Sequence, residues 1–129
     1  MFKETNINCK KITMEKEFIP YEQALDLKEL GFDEPCFGYY LASTLFISND
    51  IVYNSTNIPV IEAPLYQQAF GWFRKKHGYT QYVREVKKDK YRFYIEKFDE
   101  KSYTSEFYDS HEEAELECLK KLIEIAKNK

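Results

Sequence analysis

Cysteine, histidine, glycine and proline are all scarce in this chain, and each scarcity narrows what it can be. Its three cysteines, Cys9, Cys36 and Cys118, are odd in number, far apart and never spaced as CxxC. That argues against an extracellular disulfide framework and fits reduced thiols of a cytoplasmic protein. Two histidines, His77 and His111, fall on different expected helices with no ligand-spaced partner, and there is no GxGxxG, P-loop, GxSxG or HExxH motif. Only four Gly and four Pro are present, with no Gly/Ser-rich linker, repeat or low-complexity tract, so residues 1–129 are expected to form a single domain. The opening segment MFKETNINCKK has no apolar run of the kind a signal peptide needs. No segment approaches the roughly 20 apolar residues that span a bilayer, so no membrane partner is expected.

Aromatic residues are what the chain has in excess, at 17%: eleven Tyr, ten Phe and one Trp. A domain of this size buries roughly two-thirds of its unfolded surface and needs fewer rings than that for its core. Some of these rings are therefore expected at the surface, where an apolar body with a polar tip suits an interface. Charge is uneven as well. Residues 72–101 carry ten Lys/Arg against five Asp/Glu, whereas residues 1–71 carry five against ten, within a net charge of −3. Whether the basic block makes one patch depends on which of its residues share a face.

Three helices are predicted. In FIPYEQALDLKELGF, Pro20 suits the first turn, Ala24, Leu27 and Leu30 recur on one side, and Gly31 suits the left-handed residue that closes a helix. In EAPLYQQAFGWFRKKHG, Pro64 opens a helix, Tyr66, Ala69, Phe70, Phe73 and His77 fall at spacings of three and four, and Gly78 stops it. In SHEEAELECLKKLIEIAKNK, Ser110 and Glu113 form an S-x-x-E capping box ahead of the stripe Leu116, Leu119, Leu122, Ile123 and Ala126. Between the first two helices, CFGYYLASTLFISNDIVYNS reads as short strands with Asn49 and Asp50 as the tight turn. Between the last two, three strands are predicted, turning near Lys88 and Asp89 and near Asp99 to Lys101. In the central one Tyr91, Phe93 and Ile95 alternate with Arg92, Tyr94 and Glu96. The expected fold class is α+β: three helices on one face of a mostly antiparallel sheet, in the order α-ββ-α-βββ-α, after an irregular segment at residues 1–16.

Three stretches, FIPYEQALDLKELGFDEPCFGYY at 18–40, APLYQQAF-WFR-K at 63–76 and EEAELECLKKLIEIAKNK at 112–129, together resemble a family of small uncharacterised proteins found in tailed phages and prophages of Bacteroides-like gut bacteria. The resemblance covers about half the chain. It implies a phage-encoded accessory protein acting in a host cytoplasm and supplies no catalytic or binding residue. Similar sequences tend to carry Arg where this chain has Gly71, inside the second helix.

The site candidates follow from the basic block and its rings. HEEAE at 111–115 looks faintly like a metal motif, but Glu112 and Glu113 in a first helical turn are ordinary dipole partners, and no metal or other cofactor is expected. His77 is expected to be a cation at a helix carboxyl end, Cys36 a small buried hydrophobe, and Cys118 part of the core. No nucleophile has a base beside it, so no enzyme is expected. Arg74, Lys75 and Lys76 close the second helix, and Lys87, Lys88, Lys90 and Arg92 surround the following hairpin with Tyr82, Tyr91 and Tyr94 interleaved. With Trp72 expected on an exposed flank as anchor, these eleven residues form the candidate interface. The leading expectation is a non-enzymatic module that binds a host or phage protein; a homo-oligomer stays open. The alternative is a binder of nucleotide or single-stranded nucleic acid through the basic aromatic hairpin at residues 74–97, which the acidic remainder of the chain opposes at long range.

Overall fold

A computed structural model describes residues 14–47 and 59–129. The fold class is α+β, with four helices and two three-stranded antiparallel sheets among the described residues in place of the three helices and one sheet expected. The chain divides into two compact units, residues 1–65 and 66–129.

The first unit begins, among described residues, with a helical segment, α1, at residues 14–17, so residues 14–16 are helical where an irregular segment was expected, and the rest of that expectation lies outside the described residues. Phe18 then bridges Leu65, and the Ile19 N–H donates to the Pro64 carbonyl at 3.0 Å. Helix α2 (Tyr21–Glu29) starts after Pro20, whose ring fixes φ at −63° and which has no N–H to leave unpaired. It buries Gln23, Ala24 and Leu27 and packs against β3 (Val60–Ala63). Strands β1 (Gly38–Leu41) and β2 (Thr44–Ile47) form a hairpin, and the sheet order is β2-β1-β3. The hairpin turns at Ala42 and Ser43, both left-handed at φ 49° and 67°. That pair of angles twists with the strands, although Asn-Gly is the usual sequence for it. The turn expected at Asn49 and Asp50 lies outside the described residues. Gly38 has no room for a side chain: a Cβ there would stand 2.9 Å from a Phe18 ring carbon and 3.1 Å from the Phe46 carbonyl oxygen. Tyr40 is buried, and its hydroxyl donates to the Ile19 carbonyl at 2.8 Å.

The second unit runs α3 (Tyr66–His77), β4 (Thr80–Lys87), β5 (Lys90–Glu96), β6 (Tyr103–Thr104) and α4 (His111–Lys127). Helix α3 begins two residues after Pro64, because Leu65 is still held in its bridge to Phe18. It stops at Gly78, whose φ of 76° a side chain would resist. Helix α4 starts at Ser110, whose hydroxyl accepts the Glu113 N–H at 3.1 Å as the capping box requires. It buries Ala114, Cys118, Leu119, Leu122 and Ile123 and lies across β5 and β4, with α3 packed against α4 and β4. Leu116 and Ala126 flank that stripe at half burial. Each fully buried aliphatic or aromatic side chain here, such as Phe70, Phe73, Phe93 or Leu119, stabilises the fold by roughly 1.5–3 kcal/mol over exposure. Burial pushes the Cys118 thiol pKa far up, with Glu115 adding to it, so it is an inert core residue as expected.

Two side chains differ from expectation in their burial. Trp72 is 2% exposed and packs edge-on against Phe73 and His77 at ring distances of 5.1 Å each, so it belongs to the core. Cys36 is half-buried rather than buried, its thiol 3.4 Å from the Glu34 carbonyl.

Candidate functional site

The alternation along β4 and β5 gives the second sheet two chemically distinct faces. Register pairs Gln81 with Ile95, Val83 with Phe93 and Glu85 with Tyr91 on the inner face, and Tyr82 with Tyr94 and Arg84 with Arg92 on the outer one. The segment after β6 extends the sheet: Ser105 N–H donates to the Phe93 carbonyl, and the Phe93 N–H donates to Ser105 Oγ at 2.9 Å. Tyr108 and Tyr91 exchange backbone hydrogen bonds. Two residues, Glu106 and Phe107, stand between these pairings and bring Phe107 to Arg92.

On the outer face the Tyr82 and Tyr94 rings stack, 4.7 Å between centroids and 18° between planes. The Tyr82 hydroxyl donates to Glu96 at 3.3 Å, and its pKa is raised by desolvation first and by the Glu96 carboxylate second, so it stays a neutral donor. Directly beside the ring pair, Arg84 faces Arg92 across the ladder. Like charges opposite each other in an antiparallel pair are destabilising. Among the described residues neither guanidinium is ion-paired to a carboxylate, and Arg92 Nε is buried without a hydrogen-bond partner. The Arg92 guanidinium lies over the Phe107 ring at 4.1 Å, Lys87 approaches the same ring at 5.8 Å, and Phe107 is itself 41% exposed. The result is a face of three accessible rings and two or three cations with donors to spare.

The eleven expected site residues do not share this face. Tyr82, Arg92 and Tyr94 are on it, with Lys87 at its end. Tyr91 points inward, edge-on to His111 at 6.0 Å. Lys90 is held by Asp109 at 2.6 Å, which raises the lysine pKa and lowers the carboxylate's. Lys88 lies in the turn, where Asp89 takes a φ of 59° and donates its N–H to Glu85. Arg74, Lys75 and Lys76 are exposed on α3, which packs on the inner side of the sheet, so the basic block is split between two surfaces. Trp72 is removed from the site by its burial. His77 is not the expected cation: desolvation first, then Lys97 and Lys129, lower its pKa and favour the neutral ring. Two residues of the face escaped sequence reasoning. Arg84 shares the period-two parity of Tyr82 in TQYVREV, so β4 carried the signal, whereas Phe107 lies beyond β6 in a segment with no alternation to place it.

Among the described residues no three His, Cys, Asp or Glu side chains are placed to hold a metal ion. None of their helices is long and apolar enough to cross a membrane. No family model matches the chain, and comparison with curated proteins and with solved structures found no match.

Proposed function

We propose that this chain is a non-enzymatic binding module that takes up single-stranded nucleic acid on the outer face of the β4–β5–β6 sheet. One observation carries the reading: Arg84 and Arg92 are paired across the ladder with no carboxylate partner among the described residues, next to a stacked pair of tyrosines. Phosphates relieve the repulsion of the arginines, and a base extends the ring stack, so the two features serve one kind of ligand. The net charge of −3 weakens long-range steering, but charges beyond a Debye length of about 10 Å are largely screened at ordinary salt, and binding is decided locally. A protein partner gripped around Trp72 loses its anchor, because that ring is sealed in the core. The resemblance of residues 18–40, 63–76 and 112–129 to phage proteins supports a role as an accessory factor in an infected cell. Fluorescence anisotropy with labelled oligo-dT and oligo-U tests the reading. Wild-type protein is expected to bind with an affinity that falls steeply with salt, and replacing Tyr82 and Tyr94 by Ala is expected to weaken binding by about 1–3 kcal/mol for each base that stacks on them. No binding at low salt overturns it.

A further inference from the structure

A second cationic site lies away from that face, and it does not rest on the nucleic-acid reading. Where the β5–β6 turn meets the end of α4, a cavity of about 440 Å³ opens within the second unit. Its floor is apolar, with Ile95 and Ile125, and the rings of Tyr79 and Tyr103 stand in its wall. Four lysines line it as well. Lys97 and Lys129 both lie over the Tyr79 ring, at 5.0 and 5.1 Å, and Lys121 lies over Tyr103 at 4.7 Å. Lys101 completes the lining and has no ion pair among the described residues.

Among the described residues Glu100 is the one acidic side chain that lines this space. Glu100 is shared, 3.1 Å from Lys129 Nζ and 3.8 Å from Lys97 Nζ, so it cannot neutralise both. Lys121 is met from outside the cavity by Glu124 at 3.4 Å. The pKa values of these two lysines respond in opposite directions, Lys97 lowered first by the proximity of Lys129 and Lys129 raised by its contacts with Tyr79, Lys97 and Glu100, while that of His77 is lowered by desolvation and then by the same two lysines. Like charges held over one ring, with one acid between them, leave an excess that a phosphate's oxygens would satisfy. The volume falls in the roughly 300–1,000 Å³ range of small-molecule sites, and a purely inorganic anion would leave the isoleucines and rings uncovered.

We propose that this cavity binds a nucleoside phosphate of mononucleotide size, its phosphate among Lys97, Lys101 and Lys129 and its planar body against the tyrosine and isoleucine wall.

The test is calorimetric titration of the full chain with AMP, GMP, CMP, UMP, inorganic phosphate and adenosine in parallel. At least one nucleotide is expected to bind saturably, about tenfold or more tighter than phosphate, with no saturable signal from adenosine. Lys97→Gln with Lys129→Gln is expected to weaken that binding about tenfold or more. Glu100→Gln is expected to tighten it severalfold, because the competing carboxylate is gone. Arg84→Ala on the sheet face should leave it unchanged, which keeps this site distinguishable from the other. If the double variant fails to fold by circular dichroism, Lys101→Gln, at an exposed position, is expected to weaken binding severalfold instead. No saturable binding by any nucleotide, phosphate as tight as every nucleotide, or folded lysine variants with unchanged affinity would each overturn the proposal.

Discussion

Replacing Arg84 by Glu should make the protein more stable and worse at binding. Arg84 and Arg92 are register partners on the outer face, and neither has a carboxylate partner among the described residues. A glutamate at 84 turns cross-strand repulsion into attraction and gives the unpartnered Arg92 Nε an acceptor. Cross-strand charge pairs are worth roughly 0.2–1 kcal/mol each, and here a penalty is removed as a gain is added, so about 0.5–1 kcal/mol is expected. For a chain of this length that is a rise in melting temperature of about 2–5 °C. It should shrink at high salt, because the pair is solvent-facing and screened. Arg84→Ala, which removes the repulsion alone, should give a smaller rise. In the same preparation oligonucleotide affinity should fall about tenfold or more, and the slope of log affinity against log salt should lose about one phosphate's worth. Thermal melts at two salt concentrations and an anisotropy titration suffice. A melting temperature lowered by Arg84→Glu, or an affinity left intact, would refute the reasoning, since the arginine would then be a packing residue or the ligand would lie elsewhere.

Other expectations are independent of that pair. Trp72→Ala should destabilise the protein by about 3–5 kcal/mol, as truncation of a buried aromatic does, with chemical denaturation as the measure. A Cβ at Gly71 would meet only an Arg74 guanidinium nitrogen at 3.6 Å, so Gly71→Ala should raise stability by roughly 0.5–1 kcal/mol through helix propensity; an unchanged or lower midpoint would mean the helix needs the glycine. His77 has a folded pKa below its usual value, so the unfolded state binds more protons in the interval between them. Its contribution to stability is therefore complete above about pH 6.5 and lost as pH falls below that value through the folded pKa. His77→Gln should flatten that part of the stability profile.

Much of the fold was legible because its signals were local. Proline openings, left-handed glycine stops and the Ser110 capping box placed three helices to within a residue or two, and period-two alternation placed β5 and divided its residues between two faces. The rest depended on partners distant in sequence. Strand β3 is four residues between Pro59 and Pro64, too short to announce itself before β1 supplies its ladder. The tight turn at Ala42 and Ser43 uses residues that do not advertise left-handed backbone, so nothing local in the sequence marks it. Trp72 follows Ala69 by three residues, and a buried arc slightly wider than the Tyr66–Phe73 stripe takes it in. The site was legible only in part for the same reason. Composition marked the hairpin as basic and aromatic, but only the register put Arg84 opposite Arg92, and only the irregular return of the chain after β6 put Phe107 over it.

The central claim is that the ligand is held by the outer face of the second sheet. Its most direct test is nuclear magnetic resonance of the labelled protein during titration with an unstructured oligonucleotide. Saturable shift changes are expected at Tyr82, Arg84, Arg92, Tyr94 and Phe107, with Arg74, Lys75 and Lys76 on α3 unmoved. A spectrum that does not change, or one that moves at the end of α3 while the sheet face stays silent, would contradict it.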